Sequence, residues 1–233
     1  MRILALDTAT ALTAVALRDL GEEPNVCLID TLDRAAVDNP PVGGRPGHAQ
    51  KLLSLIEGLF AETGSAWQQV DRIAVGIGPG TFTGLRIGIA TAQALAQATG
   101  IELVGVSTLA SLRLAARTSL GDQTPVLAVI DARRGEAFVA GPDLEPCVLS
   151  PERLAAITGR LASNGATAVG DGAIKFRELL ERAGVTVPPD ESPLHRVSAR
   201  SHCALAVTAT PAPAGTIEPL YLRVPDAELG APA

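Results

Sequence analysis

Residues able to do chemistry cluster first in Gly78-Pro79-Gly80-Thr81-Phe82-Thr83-Gly84, followed closely by Arg86. A short apolar run, Ile73-Ala74-Val75, precedes this stretch and reads as a buried strand. A helix is expected from about Leu85 to Ala98. A glycine-rich loop between a strand and a helix N-terminus offers free N–H groups and the positive end of a helix dipole, a geometry suited to phosphate. Arg86 would add positive charge or lie on the surface. A rigid turn with buried packing explains the same residues equally well, because no P-loop lysine follows. The threonines of the loop are candidates for capping the helix.

The second group is a pair of acids. Ile3-Leu4-Ala5-Leu6 ends in Asp7 and Val126-Leu127-Ala128-Val129-Ile130 ends in Asp131. Each acid closes an apolar strand, where α/β folds place ligands. The three histidines, His48, His195 and His202, form no pair four apart, and neither an HExxH nor a GxSxG motif occurs. Cys27, Cys147 and Cys203 are far apart and lack CxxC spacing, so buried free thiols are expected rather than a disulfide framework or a zinc site.

These residues need a scaffold. The 233-residue chain is 47% hydrophobic and 19% charged, enough for a substantial core. Its net charge of −6 and 3% aromatic content argue against autonomous nucleic-acid binding. The apolar runs are too short to span a bilayer and the first residues read as a strand without a signal-peptide pattern, so a cytoplasmic location is expected.

In chain order, the pattern predicts strands at Ile3–Asp7, Thr13–Leu17 and Val26–Ile29, a proline- and glycine-rich surface loop from Asp33 to Gly47, and an amphipathic helix from His48 to Glu62. Leu52, Leu53, Ile56, Leu59 and Phe60 share helical spacing, with Leu55 outside the stripe. A short helical turn at Trp67–Val70 leads to the strand at Ile73. After the glycine-rich helix come a strand at Ile101–Val106 and a helix at Thr108–Arg117, and a break at Gly121–Pro125. The pattern then restarts: strands at Val126–Asp131, Glu136–Ala140 and Cys147–Leu149, a helix at Pro151–Ala162, a strand at Ala166–Val169 and a helix at Ala173–Ala183. Ser198–Thr208 reads as a last helix, ahead of a Pro/Ala linker. Three strands, helix, strand, helix therefore occurs twice, which points to a duplicated α/β fold of the actin-like (ASKHA) kind. The expected boundaries are 1–106, 107–209 and a tail at 210–233, with Asp7 and Asp131 facing one another across a cleft. On the glycine-rich helix, Gly84, Gly88, Ala92 and Ala96 share one face, marking a close approach by a sheet, another helix or a partner.

GIGPGTFTGLRIGIATAQALA, with LALDTAT, HAQKLLSLIEGLF, PVLAVIDARRGEAFVAG and EPLYLRVPDA, resembles the TsaB (YeaZ) family over nearly the whole chain. The resemblance implies an actin-like fold and a role in threonylcarbamoylation of N6 of adenosine 37 in tRNAs that read codons beginning with A. It implies a non-catalytic partner of TsaD, with TsaE as third component, tRNA held only through the complex, and homodimers through the same helices. It further implies no catalytic residues and no metal. In TsaD two histidines four apart hold the metal, and Thr108 and Leu112 stand at those positions here; neither replaces imidazole. No firmly bound cofactor is expected, and ATP or ADP only weakly. The candidate interface comprises His48, Leu52, Leu53, Leu55, Ile56, Leu59, Gly84, Gly88 and Ala92. Residue patterns alone favour burial of that surface in the chain's own core, and the family favours a share for a second chain. A stand-alone nucleotide hydrolase using Asp7 and Asp131 is the competing reading, and a metallopeptidase a third.

Overall fold

The computed structural model describes residues 1–20, 33–40, 46–162 and 165–223. It divides into two compact units, Met1–Ser111 with Val197–Pro219, and Leu112–Arg196 with the residues after Pro219.

In the first unit, β1 (Arg2–Asp7), β2 (Thr13–Asp19), β3 (Asp33–Asp38), β4 (Arg72–Gly78) and β5 (Glu102–Ser107) form a sheet in the order β3-β2-β1-β4-β5. β1 pairs antiparallel with β2 and parallel with β4, with Leu6 opposite Val15 and Val75. Period-2 alternation sorts the strands into two faces. One carries Leu4, Leu6, Val15, Leu17, Ile73, Val75 and Leu103, and is covered by α1 (His48–Thr63) and α2 (Phe82–Thr99) through Leu52, Ile56, Leu59, Ile89, Ala92 and Ala96. The opposite face is built of smaller residues, including Ala5, Ala14, Ala16 and Ala74. There α7 (Ala199–Ala206) lies close through Ala199, Cys203 and Ala206. Arg72 fixes the far end of that helix, its guanidinium donating to the carbonyls of Ala206, Val207 and Ala209 while pairing with Glu102 at 2.7 Å.

The second unit repeats the pairing. β6 (Val126–Asp131), β7 (Ala137–Gly141), β8 (Leu144–Leu149) and β9 (Thr167–Val169) are ordered β8-β7-β6-β9, again two antiparallel pairings and one parallel. α4 (Pro151–Ala162), α5 (Asp171–Lys175) and α6 (Arg177–Arg182) accompany them, and α3 (Thr108–Leu120) begins in the first unit and continues into the second. The fold is thus the duplicated, actin-like α/β arrangement that the repeat in the sequence predicts.

Four details differ from the sequence reading. Asp33–Asp38 is an edge strand rather than loop, with Val37 paired to Ala14. α2 starts at Phe82 instead of Leu85. The helix expected at Ala173–Ala183 is broken at Phe176 into α5 and α6. Val197–Pro219, with α7, belongs to the first unit, whereas the boundary at 107–209 gave most of it to the second. The strand expected at Val26–Ile29 lies outside the described residues.

Candidate functional site

Asp7 ends β1 with only 1% of its surface exposed. Its Oδ1 accepts from the Ala9 backbone N–H at 2.8 Å and its Oδ2 from the Thr108 hydroxyl at 3.0 Å. His202, reaching across from α7 and 0% exposed, places Nε2 3.0 Å from Oδ2. That approach lies off a hydrogen-bond direction, so the contact is electrostatic. The other ring nitrogen, Nδ1, lies 3.1 Å from the Ser198 carbonyl, which only accepts, so Nδ1 carries a hydrogen. Gly76 on β4 completes the enclosure: a Cβ there would stand 1.8 Å from Asp7 Oδ2. An acid at a ligand-binding edge is therefore already surrounded by its own chain.

The glycine-rich loop closes over the same strand end. The Thr81 N–H donates to the Ala9 carbonyl at 2.7 Å, and the Thr8 hydroxyl donates to the Gly84 carbonyl at 2.7 Å. Side chains are excluded from this seam, since a Cβ on Gly80 would lie 2.3 Å from Ala9 O, one on Gly84 2.0 Å from Thr8 O, and one on Gly88 2.4 Å from Thr8 Oγ1. The two readings of these glycines separate here. Gly80, Gly84 and Gly88 serve close packing, and one loop N–H that a phosphate would use is spent internally. Gly78 takes a left-handed φ of 103° ahead of Pro79. Thr81 is the N-cap residue but its side chain makes no capping hydrogen bond, contrary to the sequence expectation, and Thr83 is exposed. Arg86 turns outward and stacks on Phe82, 3.8 Å from the ring centre.

The interface residues inferred from sequence fall into two sets. His48, Leu52, Ile56, Leu59, Gly84, Gly88 and Ala92 are buried in their own unit. Assigning them to a second chain is corrected on that ground: the sheet fills the face they share. Leu55 is half-buried and Leu53 is 50% exposed. The faces of α1 and α2 that remain outward carry Leu53, Ser54, Glu57, Gly58 and Ala61 on one helix, and Phe82, Arg86, Ala90 and Ala94 on the other. Phe82 is 41% exposed.

In the second unit Asp131 also ends a strand, with different surroundings. Lys175 Nζ stands 2.6 Å from Oδ1 and Arg133 Nη1 3.2 Å from Oδ2, and the Arg133 backbone N–H donates to Oδ1 at 2.8 Å. Behind it lies Asp171, whose Oδ1 accepts from the Asp131 N–H at 3.1 Å. Burial pushes the Asp171 carboxyl up, with backbone hydrogen bonds from Asp131 and Gly172 opposing it. Arg133 and Arg134 both adopt left-handed φ, 62° and 51°, in the turn joining β6 to β7.

Sequence reasoning weighed His202 only as a possible metal ligand and Gly76 only as a strand end, and put neither beside Asp7. The only signal for His202 was its place beside the apolar positions Ala199, Cys203 and Ala206 of one helix. Thr108 and Leu112, at the positions of the expected metal ligands, are used otherwise: Thr108 on Asp7, and Leu112 buried at 1% exposure. Among the described residues no group of three or more His, Cys, Asp or Glu is arranged to hold a metal, and no helix is long and apolar enough to cross a membrane.

The architecture defines a class, the actin-like proteins related to the tRNA N6-adenosine threonylcarbamoyltransferase TsaD, whose family model matches residues 40–190. Within it, the chain belongs to the TsaB (YeaZ) family. It is 31% identical over 236 aligned positions to the Escherichia coli tRNA threonylcarbamoyladenosine biosynthesis protein TsaB, covering 96% of this chain and 95% of that one. The solved structure of YeaZ from Pseudomonas aeruginosa superposes with a TM-score of 0.74 at 29% identity, over 95% of this chain and 99% of the other. A tRNA N6-adenosine threonylcarbamoyltransferase of Solidesulfovibrio magneticus is 35% identical over 133 residues, 56% of this chain but 36% of the longer protein.

Proposed function

We propose that this chain takes part in forming threonylcarbamoyladenosine on tRNA as a non-catalytic partner of TsaD, the TsaD–chain pair working with TsaE and reaching tRNA only through the complex. The modified atom in this reading is N6 of adenosine 37 in tRNAs that read codons beginning with A. The family membership supports the pathway. The observation that carries the non-catalytic role is the enclosure of Asp7 by Ala9, Thr108, His202 and Gly76. A carboxylate only 1% exposed, with one oxygen on the Ala9 N–H and the other on the Thr108 hydroxyl beside His202, turns no open side to a metal or an attacking water in this reading.

The docking surface is the outward side of α1 and α2, where Leu53 and Phe82 stand out among small residues such as Gly58, Ala61, Ala90 and Ala94. Large apolar anchors set among small residues let a second helical layer approach closely. TsaD is the favoured occupant, and a second copy of this chain occupies the same surface when TsaD is lacking. In this reading no nucleotide is firmly bound, and ATP or ADP only weakly. Reconstituted threonylcarbamoyl transfer by TsaD and TsaE, with and without the chain, tests the proposal: transfer should depend on the chain, and equal transfer without it contradicts the reading. ATP turnover by the purified chain alone, abolished in Asp7→Ala, would favour the hydrolase instead.

A further inference from the structure

The turn between β6 and β7 holds two arginines in a backbone conformation that ordinarily selects glycine, asparagine or aspartate. Arg133, Arg134 and Gly135 follow one another at φ 62°, 51° and 81°, and all three are exposed. The Glu136 N–H donates to the Arg133 carbonyl at 2.9 Å, so Arg134 and Gly135 are the central pair of a four-residue turn, where asparagine before glycine is favoured. A left-handed φ brings the Cβ of an L residue towards the neighbouring carbonyl oxygen, and arginine has no short polar side chain to offset that. Neither arginine is buried, so packing in the core does not explain them.

Neighbouring groups hold the turn in that shape. The Asp131 carboxylate accepts the Arg133 N–H at 2.8 Å, and the Ala132 N–H donates to the Glu136 carbonyl at 3.0 Å. Arg223 pairs with Glu136 at 2.7 Å and donates to the Ala132 carbonyl. Lys175 and Arg133 meet on the Asp131 carboxylate, which is 12% exposed, while their own side chains are 39% and 68% exposed. The acid therefore lies beneath and the positive charge faces outward. Arg133 gives Asp131 one guanidinium nitrogen, Nη1, of a fork that carries five donors. The chain as a whole has 25 acidic and 19 basic residues, yet at this turn the cations Arg133, Arg134, Lys175 and Arg223 outnumber Asp131, Asp171 and Glu136.

Strained residues persist where their surroundings fix them, and they gather at sites that hold ligands. We propose that Arg133 and Arg134, with Lys175 beside them, are a contact for the RNA backbone, the turn laying its guanidinium groups against phosphodiester oxygens of tRNA held in the complex. This deepens the function proposed above and rests on it. A guanidinium fork matches two phosphate oxygens at once, and a contact to phosphate positions a nucleic acid without reading its sequence. That suits a chain with 3% aromatic residues, too few to offer a platform for stacking bases. An acidic protein is the poorer fit, because protein interfaces centre on apolar anchors and the run Arg133-Arg134-Gly135-Glu136 has none.

Equilibrium binding of unmodified tRNA to the full chain assembled with TsaD and TsaE, measured over a salt series, tests the contact. The double variant Arg133→Asn, Arg134→Asn should weaken tRNA binding on the order of tenfold near about 0.1 M salt and flatten the salt dependence by about one or two ions. The same variant should melt no lower than the wild type, because asparagine takes a left-handed φ more readily. Lower melting would overturn the claim that the arginines are kept at the expense of the turn. Arg133→Gln alone, which removes only an exposed charge, should lose about threefold in tRNA affinity. Unchanged affinity and unchanged salt dependence in both variants overturn the contact. So does loss of TsaD, TsaE or ATP binding with tRNA affinity kept, which would place a protein or a nucleotide at the turn. If tRNA affinity is unchanged while transfer still depends on the chain, the contact fails and the proposed function stands; transfer that does not depend on the chain removes both.

Discussion

Asp7 and Asp131 end the first strand of their respective sheets, at equivalent places in a repeated pairing order, yet their neighbours differ in kind. Asp7 is held by a backbone N–H, a hydroxyl and a buried imidazole, with glycine where any side chain would collide. Asp131 is held by two long cationic side chains, Lys175 at 39% and Arg133 at 68% side-chain exposure. The first arrangement cannot rearrange without disturbing the core, because its partners sit on the central strand β4, at the buried start of α3 and on α7, which covers one face of the sheet. The second can, because flexible side chains near solvent exchange partners at little cost. One copy of the duplicated unit has thus made its acid part of the framework, and the other ties its acid to two more exposed cationic side chains.

The contrast is sharpest in deletions of a partner. His202→Ala should cost about 2–3 kcal/mol in urea denaturation, because it opens a cavity beside a buried carboxylate, whereas Lys175→Ala should cost under about 1 kcal/mol. Equal costs would erase the distinction. Gly76→Ala ranks with His202→Ala, at about 3 kcal/mol with a matching drop in melting temperature, since its Cβ has no room beside Asp7. By the same reasoning Gly88→Leu should destabilise the fold itself rather than act on a partner surface.

Surface substitutions should separate stability from association. Leu53→Asp and Phe82→Asp should each weaken TsaD binding by about tenfold or more in calorimetry, while stability shifts by no more than roughly 0.5 kcal/mol. A smaller effect is expected at Asp171. Its carboxyl is raised by burial, so the folded state favours the protonated form, and the stability this gives is full below the unfolded value of about 3.9 and lost as pH rises through the folded one. Asp171→Asn keeps the acceptor for the Asp131 N–H and should raise the urea midpoint modestly at neutral pH, a gain that disappears in acid. A loss of stability at neutral pH would mean that the charge itself is needed.

The strands and helices with regular apolar spacing were legible because one periodicity dominates each: Ile3–Leu6, Ile73–Val75 and Val126–Ile130 are continuous apolar runs, and the α1 stripe repeats at helical spacing. The duplicated order followed from them. Asp33–Asp38 was not legible, because an edge strand with one open side needs no unbroken apolar pattern, and the prolines beyond it suggested loop. The glycines of α2 announced a close approach, but spacing cannot say whether the approaching surface is the chain's own. Here it is Thr8, with Leu6 beside Gly88. The meeting of Asp7 with His202 joins residues 195 positions apart, and no local pattern encodes it.

The most direct test of a framework acid in a partner subunit combines two variants in one assay. Threonylcarbamoyl transfer by TsaD and TsaE should be supported by Asp7→Asn, which keeps the shape and the Ala9 contact, and lost with the Leu53→Asp, Phe82→Asp double variant. If Asp7→Asn, folded and bound to TsaD, abolished transfer while the double variant sustained it, Asp7 would be doing chemistry and the account given for this chain would be wrong.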